Sequence, residues 1–396
     1  MSTVRLTVVL ISLIAVMAAP HANAAFPACT MHNNTLDTGD EPIGHVRMAL
    51  RPDGTPVLVY ETEVHNSSTL HFYDCADREC SSGTSRLLDS SYNYYGDPGI
   101  VVRGDGRPVI AASHRGGLRL YDCSDAACTS ATSTDIVAEG AGVLSDTPLL
   151  LQANGNPVLL YLDGSIGERP GWVISHFCAD VSCVTGGREE ALAAPATNSW
   201  FDAMSLAMSG QGMPVAAYYG TDGPSNSYGI FIGACSGNPA CSSVTTTRIA
   251  APVSRFPPLH PAVIVRSDQR PLVLDDVPAG PALLDCTTPQ CTSATRRDLP
   301  ASAAGQPLGL ALLPGDEPAF ALFGNEVVGA FACADAACSN GTAVSIGSSQ
   351  SAIRDGDFKL DTSHLPVIAY IDSDAKTLGL ARCTSDVVFA DGFDEG

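Results

Sequence analysis

The octapeptide YDCADREC (73–80) is followed along the chain by a near copy, YDCSDAAC (121–128). Four related segments continue the series: FCADVSC (177–183), ACSGNPAC (234–241), LDCTTPQC (284–291) and ACADAAC (332–338). Each segment holds two cysteines that are separated by four or five residues. A chain that contains the same close cysteine pair six times is built from internal repeats, and the repeat decides the fold.

A second repeated motif, centred on a proline that we call the marker proline, lies upstream of the cysteines in each unit. Its seven copies are GTPVLVYE (54–61), GRPVIAAS (106–113), GNPVLLYL (155–162), GMPVAAYY (212–219), QRPLVLDD (269–276), DEPAFALF (316–323) and HLPVIAYI (364–371). Their prolines are 47 to 57 residues apart. Seven units of similar length therefore fill most of the chain.

One unit reads as four short strands. In the first unit these are VRMALRP (46–52), PVLVYE (56–61), LHFYDC (70–75) and SRLLD (85–89). Runs of Val, Leu and Tyr between Gly, Asp and Pro turns are typical of β-strands. Seven such units predict an all-β fold, a seven-bladed β-propeller of four-stranded blades. A solenoid and stacked β-sandwiches are the alternatives.

Two cysteines, Cys29 and Cys383, belong to none of the six pairs. The segment CTMHNNTLDTG (29–39) looks like CSSGTSRLLDSS (80–91), which follows the second cysteine of the first pair. We therefore expect the N-terminal strand to complete the last blade, an arrangement that suits a closed ring and not a solenoid. The predicted disulfides are Cys29–Cys383, Cys75–Cys80, Cys123–Cys128, Cys178–Cys183, Cys235–Cys241, Cys286–Cys291 and Cys333–Cys338.

Residues 1–24 have the pattern of a secretory signal peptide. Arg5 precedes the apolar run LTVVLISLIAVMAA (6–19) and the small-x-small site Ala22–Ala24. The apolar run is too short to span a bilayer comfortably, so we expect no membrane insertion. Export to an oxidising compartment, secreted or periplasmic, favours disulfides. The predicted layout is a signal peptide (1–24), a propeller (25–384) and an acidic C-terminal tail (385–396).

The charge of the chain argues against one class of partner. Forty-two acidic residues face 21 basic ones, for a net charge of −21. Such a surface repels phosphate backbones, so we expect no nucleic acid partner. Zinc on cysteine is disfavoured, because a tetrahedral site needs two pairs to meet and the blade rim keeps successive pairs apart. We expect a monomer.

The repeat core G-x-P-V-x-x-Y followed by L-x-x-x-x-C resembles that of secreted bacterial β-propeller repeat proteins. The ending VVFADGFDEG (387–396) is similar to a short tail that some of them carry. The resemblance covers residues 25–396 and implies the propeller fold. It implies no reaction.

The variable segments of the repeat lie between the second and third strands, on the propeller face opposite the cysteine pairs. Function tends to reside on variable loops of a rigid scaffold. A polar position also recurs there, eleven residues before most of the marker prolines: His45, Asp97, Asp146, His260 and Asp355, with Asp202 one place earlier. These side chains either bond backbone amides at the blade junctions or form a cation or polar-ligand site. Ca²⁺ is possible with carboxylates, and a transition metal with His and Asp, but no cofactor is assigned.

Aromatic residues collect on the same face: Tyr94, Tyr95, Trp172 and Trp200. They suit a sugar or a peptide side chain, or they simply cover the blade ends. We expect a binding module for a glycan or a protein. A polysaccharide hydrolase or lyase with carboxylates at the channel mouth and a structural envelope protein are the alternatives. No G-x-S-x-G or H-E-x-x-H motif is present, so we lean against an enzyme and assign no catalytic residue.

Overall fold

The structure is a computed structural model. It describes residues 26, 30–36, 38, 41–64, 67–92, 97–141, 146–163, 172–192, 204–221, 228–237, 241, 243–250, 261–277, 280–303, 305–324, 327–348, 353–372 and 376–384. The predicted signal peptide (1–24), Cys29 and the predicted tail (385–396) lie outside these residues.

The described residues form 28 strands in seven antiparallel sheets of four strands each. Blade 1 contains β2 (Ile43–Leu50), β3 (Pro56–Val64), β4 (Ser67–Cys75) and β5 (Gly83–Tyr92). Blade 2 contains β6 (Gly99–Val102), β7 (Pro108–His114), β8 (Gly117–Cys123) and β9 (Ala131–Val137). Blade 3 contains β10 (Leu149–Leu151), β11 (Pro157–Asp163), β12 (Trp172–Cys178) and β13 (Gly187–Ala191). Blade 4 contains β14 (Met204–Met208), β15 (Pro214–Thr221), β16 (Tyr228–Ser236) and β17 (Ser243–Arg248).

The last three blades continue the same order. Blade 5 contains β18 (Ala262–Val265), β19 (Pro271–Val277), β20 (Gly280–Cys286) and β21 (Ala294–Asp298). A short 3-10 helix (Ala301–Ala303) leads into blade 6, which contains β22 (Gln306–Leu312), β23 (Pro318–Gly324), β24 (Val327–Cys333) and β25 (Gly341–Ser348). Blade 7 contains β26 (Ile353–Leu360), β27 (Pro366–Asp372), β28 (Thr377–Thr384) and β1 (Thr30–Leu36). The predicted seven-bladed propeller is confirmed.

The marker prolines set where the second strand of every blade begins. All seven of them are the first residue of their strand. Proline is tolerated there because the first residue of a strand does not need to donate a ladder hydrogen bond. The proline marker of the sequence therefore predicts one strand boundary in each blade.

The N-terminal strand closes the ring. β1 pairs antiparallel with β28, and Met31 lies opposite Cys383 in the register. Tyr370 on β27 donates a hydrogen bond to Asn33 Oδ1 at 2.6 Å across the same blade. Cys383 is disulfide-bonded, and its predicted partner, Cys29, lies just before β1 and outside the described residues.

The six other cysteine pairs staple the turns between third and fourth strands, as predicted. The second cysteine of five pairs has a positive φ, between 48° and 57°. That left-handed conformation is uncommon for a residue with a side chain, and it recurs at the same position of the disulfide loop in five blades. Multiple disulfides indicate an oxidising compartment. Among the described residues, no helix has the length and apolar character to cross a membrane.

The core is divided among the blade interfaces. Seven clusters of buried apolar side chains occur in the described residues, and each joins two neighbouring blades. Tyr60 and Leu58 of blade 1, for example, pack with Val367 and Leu380 of blade 7. Seven interfaces for seven blades mean that the ring has no open end.

Arginine side chains also link neighbouring blades, on the face of the cysteine pairs, which we call the stapled face. Each binds the aspartate before the first cysteine of its own blade and a carbonyl in the disulfide loop of the next blade. These blade latches are Arg51 with Asp74 and Ala126 O, Arg103 with Asp122 and Val181 O, and Arg266 with Asp285 and Ala336 O.

In the latch between blades 7 and 1, the acidic and the basic residue occupy each other's positions. Here the residue after the inner strand is Asp361, and the residue before the cysteine is Arg382. Arg382 Nη2 binds Asp361 Oδ2 at 2.6 Å, and Nη1 binds the carbonyl of Arg78 in the blade 1 disulfide loop at 2.8 Å. The ion pair and the contact to the next blade are therefore kept with the opposite arrangement of charges.

Candidate functional site

The candidate site lies at the face opposite the staples, where the inner strands begin. In blade 1, Leu50 at the end of the inner strand pairs with Pro56, and Val57 pairs with Asp74 beside the staple. The start of the inner strand, Ile43, is therefore at the other edge of the sheet. The same order in the other blades places a ring of polar residues there: His45, Asp97, Asp146 and Asp355. We call this ring the channel mouth.

Four side chains from three consecutive blades meet at one point of the channel mouth. Nδ1 of His45 contacts Asp97 Oδ1 and lies 3.4 Å from Asp355 Oδ2. Arg47, two residues further along the same strand, contacts Asp97 through Nη2 and binds Asp355 Oδ2 through Nη1 at 3.0 Å. The cluster therefore joins blade 1 to both of its neighbours.

The carboxylates of the ring also accept backbone N–H groups across the blade junctions. Asp355 Oδ2 accepts from Val46 N at 3.0 Å. Asp146 accepts from Asp97 N at 3.1 Å and, with its other oxygen, from Met204 N at 2.9 Å. These are the bonds that the structural interpretation of the ring predicts, and Asp146 makes them with both oxygens. Ligand binding by the ring stays a prediction.

Arg47 supplies a positive charge to this acidic ring. Burial by itself would lower the pKa of Arg47, but the charges of Asp355, Asp357 and Asp146 outweigh it and raise the pKa above its ordinary value. The guanidinium therefore stays charged and offsets the repulsion among the carboxylates.

Behind the ring lies a cavity of about 210 Å³, to which all seven inner strands contribute. Its polar lining includes Arg47, Asp97, Asp146, Asp355, Asp357 and Lys359, and its apolar lining includes Ile100, Leu149, Leu206, Val263, Leu308 and Leu310. The inner strands approach one another closely here. A Cβ atom added to Gly309 would fall 2.9 Å from Cβ of Phe358, so this glycine permits the approach.

The predicted site residues divide into two groups. His45, Asp97, Asp146 and Asp355 lie together as described above. Trp172 begins β12, opposite Asp163 and away from the staple, and its side chain is 37% exposed. The remaining predictions, Tyr94, Tyr95, Trp200, Asp202 and His260, fall outside the described residues.

Sequence reasoning missed Arg47, Asp357 and Lys359, which line the same cavity. Residues at i and i+2 of a strand share one face of the sheet. His45 and Arg47 have this spacing, as do Asp355, Asp357 and Lys359. Applying the two-residue period from each ring position would have found all three.

Comparison with known proteins identifies the fold and no family. No family model matches the chain, and no curated protein does either. A protein of unknown function from Dyadobacter fermentans is similar in structure, with a TM-score of 0.55 and 10% identity over 89% of this chain and 98% of that one. An α-L-arabinanase of Penicillium chrysogenum in complex with arabinobiose has a TM-score of 0.51 and 14% identity over 81% and 98%.

Puromycin hydrolase is also similar, with a TM-score of 0.52 and 12% identity over 86% of this chain. The chain spans only 53% of the length of that enzyme. At such low identity, these likenesses concern the propeller fold alone.

Proposed function

We propose that this protein is a secreted binding module that accepts one polar unit of a glycan at the channel mouth. The observation that carries the proposal is the cavity behind Arg47, Asp97 and Asp355, where ionic groups at the rim meet apolar walls. A sugar has both hydroxyl groups and an apolar C–H face. Ligand pockets commonly combine a few directional polar groups with apolar walls in this way.

The size of the cavity favours a single unit over an extended chain. Its volume of about 210 Å³ is below the range of about 300–1,000 Å³ that is typical of pockets for drug-sized ligands. The end of a glycan, or a single branch, would fill it while the rest of the chain stays at the surface. Trp172 is exposed on the same face and offers a stacking surface there.

Binding suits the carboxylates better than glycoside hydrolysis. One oxygen of Asp97 and one of Asp355 lie within 4.8 Å of each other, close to the separation of about 5–5.5 Å in retaining glycosidases. That mechanism needs one of the two groups to hold a proton. Arg47 contacts both carboxylates, so each is already engaged in an ion pair, an arrangement that does not suit a proton donor.

A glycan array and titration calorimetry test the proposal. The first soluble probe is arabinobiose, the sugar in the Penicillium arabinanase complex. We expect Ala262→Phe to weaken binding at least tenfold, because this half-buried residue lines the cavity and a phenyl ring would fill it. Ala343→Phe is the matched control, since Ala343 is exposed on the outer strand β25, and we expect it to bind normally.

Three results would contradict the binding module. One is an array on which no glycan binds, and another is equal affinity of the two variants. The third is release of reducing ends from a polysaccharide that stops in Asp355→Asn, which would support the hydrolase.

A further inference from the structure

We propose that a second site, at the outer rim of the ring, binds an acidic saccharide residue. The site is the cleft between blades 1 and 2, which we call the rim cleft. It is lined by Arg86, Leu87, Leu88 and Asp89 of β5, by Arg119 and Tyr121 of β8, and by Thr129, Ser130 and Ser133 at β9. Its volume is about 480 Å³, and none of these residues lines the channel cavity.

Asp89 forms a fixed polar floor of the rim cleft. It accepts a hydrogen bond from the Tyr121 hydroxyl at 2.6 Å. His114 Nδ1 lies 2.9 Å from the same carboxylate, and Arg119 Nη1 lies 3.7 Å from it. Arg119 itself binds Asp135 at 2.6 Å. The charges of Asp89 and Arg119 are therefore balanced within the protein and do not call for an outside ion.

Arg86 differs from Arg119 in this respect. Its Nε atom is buried and has no hydrogen-bond partner among the described residues. The equivalent arginine of blade 5 is Arg297, six residues after the second cysteine, and its Nε binds Asp285 at 3.1 Å. In blade 1 the residue that corresponds to Asp285 is Asp74, and it binds Arg51 at 2.6 Å. Arg86 therefore lines the cleft without that ion pair, and its electrostatic interaction with Asp125 is the weaker substitute. A planar guanidinium matches a carboxylate or a sulfate, which can accept two parallel hydrogen bonds from it.

The other walls of the cleft suit a sugar ring. Leu88, which is half-buried and packs at the interface of blades 1 and 2, forms an apolar surface on one side. Ser130 and Ser133 face it from blade 2, and hydroxyl groups both donate and accept hydrogen bonds. A pyranose acid has the matching parts: an apolar face, a rim of hydroxyls and one carboxylate. Within the described sheets, the outer strands β5 and β9 each have a free edge to which a peptide strand could add, but the groups that line this cleft are side chains of two blades.

Calorimetry with trigalacturonate at low ionic strength tests the rim cleft. We expect the wild-type protein to bind trigalacturonate at least ten times more tightly than its methyl ester, which has the same sugars and no charge. Arg86→Gln should weaken trigalacturonate binding at least tenfold. Arg78→Gln is the matched control, because it removes one exposed arginine of the same blade, and we expect less than a twofold change.

Ser133→Ala is a second variant, which tests the hydroxyl wall of the cleft without disturbing the core, since Ser133 is exposed and lies opposite Tyr121 in the strand register. We expect it to weaken binding severalfold. Ala262→Phe, which blocks the channel cavity, should leave trigalacturonate binding unchanged. Loss of binding in that variant would place the ligand in the channel and overturn the rim cleft, while failure of the channel proposal would not affect it.

Several other results would also overturn the proposal. These are no binding of trigalacturonate, equal affinity for the acid and its ester, and equal effects of Arg86→Gln and Arg78→Gln. If inorganic sulfate binds as tightly as trigalacturonate, the cleft is only an anion site. If an Asp/Glu-rich peptide binds as tightly, the cleft recognises acidic peptides and not saccharides.

Discussion

Arg47 holds the position at the channel mouth where a bound cation would otherwise be expected. The possible ligand atoms of His45, Asp97 and Asp355 lie within 4.8 Å of one another, but Arg47 contacts both carboxylates. A Ca²⁺ ion would bind here mainly because it offsets the repulsion among the carboxylates. The guanidinium of Arg47 already offsets that repulsion.

Arg47→Met should therefore create a metal dependence that we do not expect of the wild-type protein. Removing one partner of a buried ion pair costs about 3–5 kcal/mol of folding stability, because both carboxylates lose their countercharge. Millimolar Ca²⁺ or Zn²⁺ should raise the Tm of the variant and leave the wild-type Tm unchanged. Lys359→Met is the control, since Lys359 binds Asp357 at 2.8 Å but is 43% exposed. A wild-type Tm that rises with Ca²⁺ would show that Arg47 does not fill the cation's role.

Asp180 makes the blade 3 disulfide loop sensitive to acid. The hydroxyl and the amide of Thr185, followed by the amides of Ser182 and Val184, lower the pKa of Asp180 to about 2. The folded-state pKa is thus below the value of about 3.9 for an unfolded aspartate. This group contributes stability above pH 4 and loses that contribution as the pH falls towards 2.

The Tm difference between the wild-type protein and Asp180→Asn should accordingly be constant above pH 5 and shrink between about pH 4 and pH 2. Asp298→Asn serves as the control, because its carboxylate is 81% exposed, and we expect a difference near zero throughout. A difference for Asp180→Asn that persists at pH 2 would exclude this origin of acid sensitivity.

At the scale of strands and loops, each blade latch connects the end of one blade's inner strand to the disulfide loop of the next blade. Arg103 is buried, with 7% of its side chain exposed, and it contacts Asp122 of its own blade and the Val181 carbonyl of the next. Loss of one partner leaves the other charge buried and unpaired, which is the costly case.

Arg103→Met should lower the free energy of unfolding by about 3 kcal/mol, measured by urea denaturation. Arg107→Met, which removes an exposed pair with Asp105, should change it by less than about 1 kcal/mol. The double exchange Arg103→Asp with Asp122→Arg should recover more than half of the loss, because blades 7 and 1 already use that order of charges. If the exchange is as unstable as the single variant, the two arrangements are not equivalent.

Sequence reasoning predicted the elements that repeat and missed the contacts between blades. The marker prolines fixed seven strand boundaries, and the cysteine pairs fixed the stapled turns, because each is local and recurs in every unit. The two-residue spacing from His45 points to Arg47 itself, but its partners Asp97 and Asp355 belong to other blades. The carbonyl that Arg103 binds also belongs to the next blade, so no spacing within one unit points to these contacts. The latch of Asp361 and Arg382 is even harder to predict from sequence, because its charges are in the opposite positions and its carbonyl partner belongs to the first blade.

At the scale of the whole molecule, stability depends on seven interfaces that close on themselves. The N-terminal strand β1 completes blade 7, and the predicted disulfide Cys29–Cys383 would connect the two ends of the ring. A bridge over so long a loop removes far more entropy from the unfolded chain than a staple of four residues.

Replacing Cys29 and Cys383 by Ser should therefore lower the Tm more than replacing Cys123 and Cys128. The loop-entropy relation gives the long bridge on the order of 5 kcal/mol. Thermal melts of the two double variants make the comparison, and equal losses would contradict it. Peptide mapping without reductant is the control: any partner of Cys29 other than Cys383 would refute the closure.

The pairing of β1 with blade 7 also fixes when the molecule can finish folding. A ribosome makes β1 before any other strand, yet Tyr370, which bonds to Asn33, is synthesised 337 residues later. During that interval β1 has no partner strand, and an unpaired apolar strand invites aggregation with other chains. The sequence of β1, TMHNNTL, has only Met31 and Leu36 as apolar residues. This polar composition lowers the tendency of β1 to aggregate while it is unpaired, before the other strands of the ring have been synthesised.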